Sequence, residues 1–89
     1  MFDKQVKMEI VNILAELKTI NETLLKALLF EKFPLSKKPH INKNFYSYIT
    51  DLEEKGYIKT QKEEFKDLRL TITNKGILLS KGEIVENEW

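Results

Sequence analysis

Apolar residues early in the chain fall at Val6, Ile10, Ile13, Leu14 and Leu17, the spacing of one helix face. Met8, Val11 and Ala15 add a second stripe beside it. A helix read over 4–18 is thus apolar on two sides, facing its own core or also a second subunit. Thr19-Ile20-Asn21-Glu22 then breaks the pattern, with Asn21 suited to cap a second helix and Thr19 with Glu22 fitting a capping box. Leu24, Leu25, Leu28 and Leu29 carry that helix, which is expected to stop near Phe33 because Pro34 disfavours a helical residue before it. Two prolines, Pro34 and Pro39, mark 33–40 as a loop. A third helix is expected from about Asn42, with Ile41 and Tyr46 as a staple around its start and Phe45, Ile49 and Leu52 facing the core. Tyr48 lies between these and reads as part-buried, and Gly56 ends the helix.

The period then changes to two. Tyr57–Lys62 and Leu68–Thr73 read as strands, with Leu68, Leu70 and Ile72 on one face and Arg69 and Thr71 on the other. The polar turn between them, 63–67, carries one aromatic residue, Phe65. Thr73 caps a last helix through Ile77, Leu78 and Leu79, which Gly82 ends. The expected class is α+β: a three-helix core, a β-hairpin and a final helix, with Thr19-Ile20 as a candidate third strand. That order is the arrangement of a winged helix-turn-helix. One domain over 1–82 and an acidic tail over 83–89 account for the chain.

Asp51-Leu52-Glu53-Glu54-Lys55-Gly56-Tyr57-Ile58 resembles the L-E-E-x-G-h-I junction (h, apolar or aromatic) between recognition helix and wing in the MarR and PadR families. Arg69-Leu70-Thr71-Ile72-Thr73-Asn74-Lys75-Gly76 resembles their R-h-x-L-T-x-K-G wing exit. Phe45-Tyr46 is similar to the L-Y near the start of the PadR recognition helix, and to an F-Y in small archaeal and viral winged-helix regulators. The resemblance spans roughly 20–80 and is specific over 45–79. It implies a transcriptional regulator that binds double-stranded DNA, with helix 42–55 in the major groove and wing 59–69 on the adjacent backbone or minor groove.

The chain of 89 residues holds 15 basic and 14 acidic side chains, a net charge of +1. Local clustering therefore matters more than the sum. Residues 37–50 hold Lys37, Lys38 and Lys43 and no acid, and lie within the longest acid-free stretch of the chain. It falls on the loop and first turns of the expected recognition helix, where phosphates need positive charge. The helix face opposite Phe45 carries Lys43, Asn44, Ser47 and Thr50, with Tyr46 at its edge. Asn can read adenine bidentately, and the others suit bases or phosphates. His40 is a candidate for a loop hydrogen bond or a phosphate contact, and Tyr46 for a phosphate or for packing on the loop. On the wing, Lys62 and Lys66 are candidate backbone contacts. Arg69, the one arginine, suits a minor groove or an ion pair with Glu63, Glu64 or Asp67.

A DNA reader of this size gains from pairing half-sites, so a homodimer is expected. Its candidate surfaces are Met8, Val11 and Ala15 on the first helix and Leu79, Ile84, Val85 and Trp89 near the C-terminus. There is no cysteine and one histidine, so no metal or cofactor is expected. Glycine-rich phosphate loops and nucleophile–base pairs are absent, so an enzyme is not expected. No apolar run is long enough for a membrane helix, and the N-terminus does not read as a signal peptide. The expected setting is the cytoplasm, a host's if the source is viral. The alternative function is a winged helix that binds protein and not DNA.

Overall fold

A computed structural model describes residues 2–64 and 67–89. The elements run α1 (Phe2–Leu17), β1 (Thr19–Asn21), α2 (Glu22–Glu31), a 3-10 turn (Leu35–Lys37), α3 (Lys38–Glu54), β2 (Ile58–Lys62), β3 (Leu68–Ile72) and α4 (Asn74–Ser80). The strands form an antiparallel sheet in the order β1-β3-β2, so Thr19-Ile20 does supply a third strand. Ile20 pairs with Leu70, and Ile58 with Ile72. That register puts apolar residues on one face, as a period of two requires. Together with α1, α2 and α3 they enclose one core in which Val6, Ile10, Leu14, Leu25, Leu29, Ile41, Phe45, Leu52 and Leu70 are fully buried.

Local chemistry sets the boundaries. Asn21 Oδ1 accepts from the Leu24 N–H at 2.8 Å and starts α2. Thr73 Oγ1 accepts from the Gly76 N–H at 3.1 Å and starts α4. Gly56 leaves α3 at φ +82, a conformation glycine adopts without a Cβ penalty. Lys18 holds the comparable position after α1 at φ 72, where a side chain is strained.

Helix α3 corrects the expected boundary. It begins at Lys38, four residues before Asn42, with Pro39 in its first turn. There a proline removes only an N–H that lacks an intrahelical partner anyway. Ile41 and Tyr46 thus lie inside the helix and do not staple its start. Tyr48 is buried, at 3% exposure, not part-buried. Two leucines assigned to core faces are half exposed, Leu17 at 46% and Leu24 at 49%.

Candidate nucleic-acid interface

Three polar ties fix α3 against its neighbours. Tyr48 donates its hydroxyl to Asp3 on α1 at 2.6 Å. Lys7 on α1 and Lys55 each reach Asp51 at 2.9 Å. Tyr46 donates to Glu22 at the start of α2. Glu22 is itself buried, and its other oxygen accepts the Leu68 N–H at 3.0 Å. Hydrogen bonds from Tyr48 and then His40 hold the Asp3 carboxyl below its ordinary value. For Asp51, burial works to raise the pKa, but the two lysines outweigh it and the net shift is downward. Burial, then the bond to Asp3, pushes Tyr48 far up.

The face of α3 turned from the core carries Lys43, Ser47 and Thr50, all exposed, with no hydrogen-bond partner among the described residues. Lys37 and Lys38 flank the helix start, their ammonium groups 5.1 Å from the Phe2 ring centre and 5.0 Å from that of Phe30. Lys37 and Lys38 thus stand at the N-terminal end of α3, whose backbone N–H groups add partial positive charge, and Lys43 lies on the outer face about one turn further on. Asp51, Glu53 and Glu54 lie at the other end. Asp51 is paired as above, and Glu53 accepts from the Thr60 hydroxyl at 2.7 Å. A shallow polar groove runs along this half, lined by Tyr46, Ser47, Thr50, Asp51 and Glu54.

Other candidates are engaged within the fold. His40 Nε2 lies 2.9 Å from Asp3, and the His40 ring meets Phe2 edge-on. Asn44 Nδ2 donates to the His40 carbonyl one turn back at 2.8 Å, which uses one of its two amide hydrogens. Tyr46 is exposed, but its hydroxyl donates to Glu22 and the Lys26 ammonium lies over its ring. Arg69 takes the ion-pair alternative, with Nε 3.0 Å from Glu63 and Nη1 3.4 Å from Thr19 Oγ1. It sits on the central strand, opposite Gln61 and Asn21. Asn21, Glu63, Glu64 and Asp67 line a concavity beside the hairpin turn, so that end is acidic. Lys62 is exposed on β2, and Phe65 and Lys66 lie outside the described residues.

The expected dimer surfaces are largely closed by the chain itself. Val11 is fully buried and Leu79 nearly so, because α1 is sandwiched between α2, α3 and α4. Met8, Ala15, Ile84 and Trp89 pack partly against the same core. Trp89 stacks on Tyr57 at 6.1 Å, with the Lys7 ammonium 5.3 Å from its ring. Tyr57 donates to Glu86, which ties down the tail. Burial, then that bond, raises Tyr57 to about 12. Val85 alone of the seven dimer candidates is widely exposed, at 74%.

Sequence reading missed Asp3 and Glu22 as site-building residues. The one available signal was Glu22 in the capping-box pattern, which gives no hint of its reach to Tyr46 and Leu68. Among the described residues no group of three or more His, Asp or Glu side chains is placed to hold a metal ion. No described helix is long and apolar enough to cross a membrane. No protein-family model matches the chain, and neither a curated protein nor a solved structure does.

Proposed function

We propose that the chain is a winged-helix domain that binds double-stranded DNA as a transcriptional regulator, with the outer face of α3 in the major groove. The observation that carries this reading is the exposed outer face of α3, where Lys43, Ser47 and Thr50 follow one another at one-turn steps with no partner among the described residues, while Lys37 and Lys38 stand at the start of the helix. The order of elements and the β1-β3-β2 sheet support it. Lys37, Lys38 and Lys43 hold the phosphates, and Ser47 and Thr50 face the base edges. Asn44 keeps its oxygen and one amide N–H, but its orientation is set by the His40 carbonyl. The wing plays a smaller part than the resemblance implies, because Arg69 is paired and the described turn residues are acidic; Lys59 and Lys62 supply its backbone contacts.

One small domain buries limited DNA surface, which favours two copies on paired half-sites. Such a pair has to use surface other than Val11 and Leu79.

The test is a titration of labelled random duplex at several salt concentrations, with the wild type and Lys37→Glu/Lys38→Glu/Lys43→Glu. Log affinity falls with log salt by about 0.9 per phosphate neutralised, so the triple variant should lose about 3 from the slope. Absence of binding by folded wild type at low salt would replace this reading with a protein-interaction module.

A further inference from the structure

On the far side of α1 lies an open groove of about 660 Å³, bounded by α1, the end of α2 and the end of α4. Its apolar lining is Ile13, Ala15, Leu17 and Leu28, with Asn12 and Ser80 beside them. Leu17 is 46% exposed there although its spacing assigns it to the core. The rim carries Glu9, Glu16 and Glu31 against one cation, Lys32. None of the three carboxylates is in an ion pair among the described residues. At 3.6 residues per turn, the groove side of α1 is turned about 130° from Asp3 and Lys7, which reach α3. Occupation of the groove therefore leaves the outer face of α3 open.

We propose that this groove docks a lysine- or arginine-rich amphipathic helix of another protein. The occupant follows from the surface. An apolar floor between two helices takes the i, i+3, i+4 anchors of a third helix. A rim of three carboxylates favours cations flanking those anchors and steers their approach. A second copy fits poorly: a twofold pairing sets the same patch against itself, so Glu16 and its neighbours would meet carboxylates. The inference goes beyond the DNA reading and does not depend on it.

The experiment uses the whole chain and a fluorescein-labelled peptide of about 15 residues, with leucines at helical anchor spacing and lysines elsewhere. A control peptide of the same composition has the leucines permuted off one face. Binding is followed by anisotropy for wild type, Glu16→Lys/Glu31→Lys and Leu17→Asp, with circular dichroism to confirm that each is folded. The expected result is at least tenfold preference for the amphipathic peptide, at least tenfold weakening in both variants, and duplex affinity for Leu17→Asp within twofold of wild type. Equal binding of the permuted peptide, or variants that bind like wild type, overturns the proposal. So does wild-type self-association that Leu17→Asp abolishes, since the occupant is then a second copy. Failure of duplex binding with the peptide result intact overturns only the DNA reading.

Discussion

Removing the Glu22 carboxylate should weaken three elements together. Glu22 is 6% exposed, accepts the Leu68 N–H at 3.0 Å and accepts the Tyr46 hydroxyl with its second oxygen. Its position in the first turn of α2 also suits the helix dipole. Hydrogen bonds to a charged group contribute roughly 1.5–3 kcal/mol each. Tyr46 is 54% exposed and can rebond to water, so its share is small. Loss of a buried charge also relieves a desolvation cost, which reduces the net effect. Glu22→Ala should therefore cost about 2–3 kcal/mol, most of it at Leu68. For a domain of this size that lowers Tm by about 10–20 °C. Glu22→Gln keeps an acceptor for Leu68 and should cost about 1 kcal/mol. Urea unfolding followed by circular dichroism gives both values, and hydrogen exchange should show the Leu68 amide losing protection. An Ala variant within about 0.5 kcal/mol of wild type, or a Gln variant as damaged as Ala, would refute the assignment of this stabilisation to the two bonds.

Four further outcomes are expected. Gly76→Ala places a Cβ 2.3 Å from the Tyr57 carbonyl oxygen and 2.7 Å from an Ile72 side-chain carbon, so it should cost at least about 2 kcal/mol in urea unfolding despite alanine's helix preference. Lys18→Gly relieves the φ of 72 and should stabilise by roughly 0.5–1 kcal/mol in the same assay. All three tyrosines donate to carboxylates and are raised above the ordinary value of 10.0, so absorbance at the tyrosinate band should show less than half ionisation at that pH while the fold is intact. Asp3, Asp51 and Glu86 are lowered from ordinary values of 3.8, 3.8 and 4.5. Their stabilisation is present above those values and lost as pH falls through the folded ones, so urea midpoints should be flat near neutrality and drop below about pH 4.5.

Periodicity made the helices and strands legible because burial of one face is a local, repeating demand. Val6, Ile10 and Leu14, or Leu70 and Ile72, announce their face through spacing alone. Caps were legible for the same reason: Asn21 and Thr73 act within three residues of themselves. The start of α3 was not, because a proline inside a helix and a proline in its first turn read alike until the partner of its N–H is known. Leu17 and Leu24 show the opposite error, a pattern that continues past the point where the fold supplies anything to cover it. At the candidate interface, Lys37, Lys38 and Lys43 were legible because an acid-free run is visible along the chain. The ion pair of Arg69 was open to reading because Glu63 is near it in the chain, whereas the engagements of Tyr46 and His40 depend on Glu22 and Asp3, carboxylates on other elements that spacing does not reveal.

The division of α3 into spent and unspent groups is the strongest argument for what the helix does. Its inner side chains fill the core, and its flanks are tied to α1 through Tyr48–Asp3 and Lys7–Asp51 and to α2 through Tyr46–Glu22. A helix held on both flanks loses little further freedom when something binds its outer face. Lys43, Ser47 and Thr50 have no partner among the described residues, so their donors are available where the rest of the helix is fixed. The same reasoning separates α3 from the hairpin, where Arg69 is bonded within the sheet and the neighbouring acids repel phosphate. Substitutions on the outer face should thus change duplex affinity with little change in stability, while substitutions at Asp3, Glu22 or Asp51 should change stability first and affinity only through it.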